Sequence, residues 1–141
     1  MTTSEKTKIT VQVLVNSPIE KAWDTWVNPK HIVNWYFASP DWHCPTSEND
    51  LQAGGNFKFR MEAKDGSFGF DFGGVYQEVV KHQLISYILD DTRTVRITFE
   101  EKDGKVLILQ TFEAEEENSK EMQKDGWQAI LHNYKSYTEN L

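Results

Sequence analysis

The histidines and the cysteine are the side chains of this sequence that could ligate a soft metal or act as a base near neutral pH. They are His31, His43, His82, His132 and Cys44. His43-Cys44 is the one adjacent pair. A tetrahedral zinc site needs two further ligands, and none stands nearby. The sequence holds no His-Glu-x-x-His, no Cys-x-x-Cys and no Gly-x-Ser-x-Gly. Gly54-Gly55 and Gly73-Gly74 lack the strand–loop–helix setting of a phosphate loop and read as strand bends. The expectation is no metal and no cofactor, with a non-enzymatic role ahead of an enzymatic one. Arg60, Glu62, Asp71 and Glu78 fall among strand residues. One of them turned inward would be the best candidate for an acid, a base or a ligand anchor. Parity points Arg60 and Glu62 away from the Phe57/Phe59 face. The parity around Gly73-Gly74 stays open, because a bulge would flip it.

Recognition by apolar contact is the other chemistry on offer. Aromatic residues make up 13% of the chain, with five Trp. Such side chains line cores, pockets or interfaces. The candidate ligand-contacting set is Trp35, Phe37, Trp42, Phe57, Phe59, Met61, Phe70, Phe72, Tyr87, Ile97, Phe99, Trp127, Leu131 and Tyr134. The alternative is that these residues pack as a solid core with no space between them. Tyr87 and Tyr134 carry hydroxyls that need partners if buried.

These residues must be positioned by sheet and helix. Ile9, Val11, Val13 and Val15 alternate as one strand. Ser17-Pro18-Ile19-Glu20 reads as a helix start, with Ser17 as the cap and Pro18 at the first helical position. Ile19, Ala22, Trp23, Trp26 and Val27 then form one apolar stripe. A second short helix is expected from Pro29 to about Trp35. Residues 36–53 are irregular, with room for one short strand, and residues 36–50 suit a lid over a cavity. In that reading Cys44 is open to a thiol reagent. Strands follow from Gly54, from Ser67 to about Val80, at Leu84–Leu89, at Arg93–Glu101 and at Lys105–Glu113. Turns are expected at Asp65-Gly66 and Asp103-Gly104, and a bulge or bend at Gly73-Gly74. Asn118 to Leu141 reads as one long helix capped by Asn118, with Trp127, Ile130, Leu131, Tyr134 and Tyr137 on one face. Strands grouped together, rather than alternating with helices, make this α+β with an antiparallel sheet.

At 141 residues the chain is expected to be one domain, 1–141, with residues 1–6 a frayed tail. The formal net charge of −7 argues against nucleic acid and anionic membrane as partners. The acidic run at Glu113, Glu115, Glu116 and Glu117 reads as a solvated linker. One cysteine, a polar Met1–Lys8 start and no apolar run near the ~20 residues of a membrane span point to a cytoplasmic protein.

Five local strings carry a family resemblance. They are Val15-Asn16-Ser17-Pro18-Ile19-Glu20-Lys21-Ala22-Trp23, Asn28-Pro29 with Trp35, Leu51-Gln52-Ala53-Gly54-Gly55-Asn56-Phe57, Gly74-Val75-Tyr76-Gln77-Glu78-Val79, and Asp125-Gly126-Trp127 with Leu131. In this order and spacing they resemble the domain homologous to the activator of the 90-kDa heat-shock protein ATPase. That domain belongs to the SRPBCC, or START-like, superfamily with the birch-pollen-allergen fold. The resemblance implies a helix-grip fold: a curved antiparallel sheet around a long C-terminal helix, two short helices after the first strand, and an apolar cavity beneath the final helix. It implies binding of a small apolar or amphipathic molecule as the first reading. A co-chaperone-like interaction with a heat-shock ATPase is the second. Cyclase- or hydrolase-type catalysis on an aromatic or polyketide-like substrate is the third. Fold alone does not choose among them.

Overall fold

Alternating apolar residues at Lys8–Val15 build β1, whose Val11, Val13 and Val15 are buried while their neighbours face out. The computed structural model describes residues 7–141, and the tail expected over residues 1–6 lies outside the described residues. Helix α1 (Ile19–Val27) buries Ile19, Ala22, Trp23 and Trp26 on one stripe. Its N-cap is Pro18, in extended conformation with no side-chain cap. The Ser17 hydroxyl instead donates to the Pro18 carbonyl at 3.0 Å, so the expected capping by Ser17 does not occur. Helix α2 is shorter than expected, Pro29–Ile32, with the Asn28 side chain accepting from the Lys30 amide at 3.0 Å.

The segment after α2 holds two short strands rather than one, β2 (Trp42–His43) and β3 (Ser47–Asn49). Both pair with β4 (Asn56–Ala63). Ser47 donates to the Pro29 carbonyl at 2.8 Å and Asn49 to the Val27 carbonyl at 2.7 Å. Both bonds tie β3 to the helices, and the Asn49 bond satisfies a carbonyl that the C-terminal end of α1 leaves open. The meander continues through β5 (Gly69–Val80), β6 (Leu84–Leu89), β7 (Thr94–Lys102) and β8 (Lys105–Glu113). The sheet order is β1-β8-β7-β6-β5-β4-β2, antiparallel throughout. The β7–β8 turn has both Asp103 and Gly104 at positive φ, 51° and 77°, as a two-residue hairpin turn requires.

The bulge expected at Gly73-Gly74 lies three residues further on, where the register shifts between Tyr76 and Glu78. The glycines serve close approach instead. A Cβ on Gly74 would lie 2.2 Å from the Ile88 carbonyl oxygen, and one on Gly73 would lie 2.7 Å from that of Phe57. The bulge flips the inward parity of β5. Phe72 and Tyr76 face in before it, and Val79 faces in after it, leaving Val80 exposed.

Helix α3 (Lys120–Glu139) crosses the concave side of the curled sheet, which gives the helix-grip arrangement. Its cap is Ser119, accepting from the Met122 amide at 3.1 Å, one residue after the expected Asn118. Asn118 donates to the Glu115 carboxylate instead. Among the described residues no helix is long and apolar enough to cross a membrane.

Candidate functional site

Inside the grip, the apolar faces of α1, α3 and the sheet do not close completely. A cleft of about 400 Å³ opens between them. The α3 wall is a stripe of Met122, Gln123, Gly126, Trp127 and Ile130. The helical side supplies Trp26, Trp35 and Tyr36, and the segment before β2 adds Ala38, Ser39 and Trp42. The sheet contributes Met61, Phe70, Phe72, Arg93 and Gln110, and Glu115 and Asn118 stand at the foot of α3.

The aromatic wall is braced from behind. Trp127 stacks on Phe112 with ring centroids 4.0 Å apart and planes 9° apart, and Phe72 meets its edge at 5.9 Å. Trp26 contacts Trp35 at 5.1 Å and Tyr134 at 4.8 Å. The Tyr134 hydroxyl donates to the Ala22 carbonyl at 2.5 Å, so Tyr134 fixes α3 against α1 and does not point a polar group into the cleft.

One end of the cleft is polar. Gln110 is buried on β8, and the buried Tyr87 and Tyr36 stand on the same side of the sheet. Burial raises the pKa of both phenols, and that of Tyr36 rises well above the usual range. Arg93 reaches the same region with its Nε 2.8 Å from Asp91 and its Nη1 3.3 Å from the Glu113 carbonyl. Gln123 joins the foot of α3 to the preceding loop. It accepts from the Glu115 amide at 2.8 Å and donates to the Asn118 carbonyl at 2.9 Å.

Of the residues singled out in sequence, Trp35, Trp42, Met61, Phe70, Phe72 and Trp127 line the cleft. Phe57, Phe59, Tyr87, Ile97, Phe99, Leu131 and Tyr134 are buried in the core behind it, and Phe37 is half-buried outside it. Sequence reasoning missed Tyr36, Arg93, Gln110, Gln123 and Gly126, and took Trp26 only for core. The signal was available for two of them. Gln110 shares the inward parity of Ile108 and Phe112, and Arg93 that of Val95 and Ile97. A polar residue on an apolar parity marks a place where the sheet faces something other than hydrocarbon.

The four charged strand residues all face away from the cleft. Arg60 pairs with Glu62 at 2.8 Å and Asp71 at 3.4 Å, and Glu78 stands 3.8 Å from Arg96. His43 lies 3.7 Å from Glu62 on the same outer face. Among the described residues no three His, Cys, Asp or Glu side chains gather as a metal site. Cys44 is buried, its thiol donating to the Thr46 carbonyl at 3.4 Å, and burial pushes its pKa up to about 11. The expected ready labelling of Cys44 therefore does not fit the structure.

The model of the family described as Activator of Hsp90 ATPase homolog 1-like protein matches residues 16–139. Among solved structures, a Cytophaga hutchinsonii protein is 53% identical, with a TM-score of 0.82 over 94% of this chain and 92% of that one. A protein of Aeromonas hydrophila, described as AHSA1-like, is 40% identical, with a TM-score of 0.90 over 95% and 93%. A Chromobacterium violaceum protein, 22% identical with a TM-score of 0.84 over 94% and 98%, shares the fold. No curated protein matches the chain.

Proposed function

Starting from the chain's membership of the Activator of Hsp90 ATPase homolog 1-like family, which its matched residues and close structural relatives establish, we propose that it binds a small amphipathic molecule in the cleft beneath α3. The observation that carries this reading is the cleft itself: about 400 Å³, walled by aromatic rings, with the buried Gln110 amide at one end. Well-packed interiors leave few voids larger than a water molecule. A space of this size with a few convergent polar groups suits a small ligand. The apolar body of the ligand lies against Trp35, Phe72 and Trp127, and its polar group meets Gln110 and Arg93. Titration with 8-anilinonaphthalene-1-sulfonate (ANS) should give saturable fluorescence on the native protein, and Trp127→Ala should change the affinity. Native mass spectrometry of protein taken from its own host should find a small molecule bound. ANS silence with the native fold intact would overturn the proposal.

A second reading is a protein-interaction module, such as a partner for a heat-shock ATPase. It draws on the rim of the cleft, where Phe68 is 61% and Phe70 42% exposed beside Trp42. Exposed aromatic groups of this kind mark contact surfaces. Phe68→Ala would weaken a partner and leave ANS binding intact, since Phe68 is outside the cleft lining. The enzymatic reading has less to build on, because among the described residues Glu115 is the one carboxylate that lines the cleft.

A further inference from the structure

Glycine in the interior of a helix is costly: it loses more backbone freedom on folding than any other residue and stabilises the helix less than alanine. Structural reasons usually account for one that persists. Positive φ is one, and close approach of another backbone is a second. Neither holds at Gly126. It sits within α3, it is not among the residues with positive φ, and a Cβ built there would meet nothing within 4 Å. The position does line the cleft. It is also central in the lining stripe, one turn after Met122 and one turn before Ile130, with Gln123 and Trp127 beside it. Every other residue of that stripe carries a long side chain.

We infer that Gly126 is a ligand-admitting notch. Its missing side chain lets the apolar body of the ligand lie directly on the α3 backbone between Met122 and Ile130, and so sets the width of molecule the cleft accepts. This inference rests on the ligand-binding reading above and adds to it the residue that decides ligand size. Helix stability is given up at the one cavity-facing position where bulk would stand in the middle of the cleft, and nowhere else on the stripe.

Gly126→Ala and Gly126→Leu in the full chain test it, each read by thermal unfolding without ligand and by ANS titration. Alanine should raise Tm by about 2–5 °C, as a better helix former placed in open space. It should also weaken ANS binding by about tenfold, the scale on which an apolar pocket senses one methylene. Leucine should abolish ANS binding while the far-ultraviolet circular dichroism stays native. A lower Tm for Gly126→Ala would overturn the inference by revealing a structural need for glycine. So would unchanged ANS affinity in both variants. The outcomes separate the two proposals: a wild type that binds no ANS sinks the ligand-binding reading and this inference together, whereas a binding wild type with equally binding variants sinks this inference alone.

Discussion

Two side chains in and just before α1, Trp23 and Ser17, play opposite roles in the structure. Trp23 is 6% exposed, with Phe99 5.1 Å from its ring and His82 at 5.9 Å. Trp23→Ala removes an indole from the junction of α1 and the sheet. Such changes cost roughly 3–5 kcal/mol, a large share of a small domain's stability. The chemical denaturation midpoint should fall accordingly, and a midpoint equal to wild type would mean that this Trp is not core. Ser17 is the opposite case. It occupies the sequence position of a cap, yet its hydroxyl is spent on the neighbouring Pro18 carbonyl. Ser17→Ala should therefore cost well under the roughly 1 kcal/mol of a lost cap. Sequence could not separate these alternatives, because Ser17 and Pro18 both suit a helix start and a one-residue shift decides which of them caps.

At the scale of elements, the segment between α2 and β4 borders the cleft. Its two ends differ. Residues 42–43 and 47–49 are tied to β4, and Ser47 and Asn49 are bonded to the ends of α1 and α2. Residues 37–41 have no strand pairing, and Ala38 and Ser39 line the cleft. Amide exchange should be fast over residues 37–41 and slow over residues 47–49 in the free protein, and ANS should slow only the first stretch. Uniform protection across both would rule out a lid role for residues 36–50. The strands themselves were largely legible. Period-two alternation and the Asp-Gly turns fix β4 through β8 to within a few residues, because register there follows burial of one face. Two things were hidden. The β5 bulge at Gln77 has no local signature, whereas Gly73-Gly74 mimics one. The cleft was hidden because a solid core and a cavity wall use the same aromatic residues, and only the three-dimensional gap tells Phe72, which lines it, from Phe57, which does not. The polar end was within reach through parity alone, at Gln110 and Arg93.

The whole molecule concentrates its weakly acidic groups in the interior, and this sets how it should respond to alkali. Burial raises the pKa of Tyr36, Tyr76, Tyr87 and Tyr134 and moves Cys44 from 9.0 to about 11. The unfolded chain releases these protons near the ordinary values, 9.0 for the thiol and 10.0 for the phenols, while the native fold still holds them. In that window the native state binds more protons than the unfolded state, so stability falls as pH rises. The contribution of these groups is complete below about pH 9, declines first through Cys44, and declines more steeply above about pH 10 as the tyrosines join. A chain with net charge −7 adds self-repulsion in the same direction as further negative charge develops. Tm should therefore be flat near pH 8, fall from about pH 9, and fall faster beyond about pH 10. Phenolate absorbance from these four tyrosines should appear together with loss of the fold rather than ahead of it, and Cys44→Ala should remove the earliest part of the decline. Four phenols that ionise gradually near their ordinary pKa in a still-folded protein, with Tm unchanged, would show that the interior around Tyr36, Tyr87 and Gln110 is open to water, and with it that the polar end of the cleft is not the dry, pre-organised surface that ligand recognition there requires.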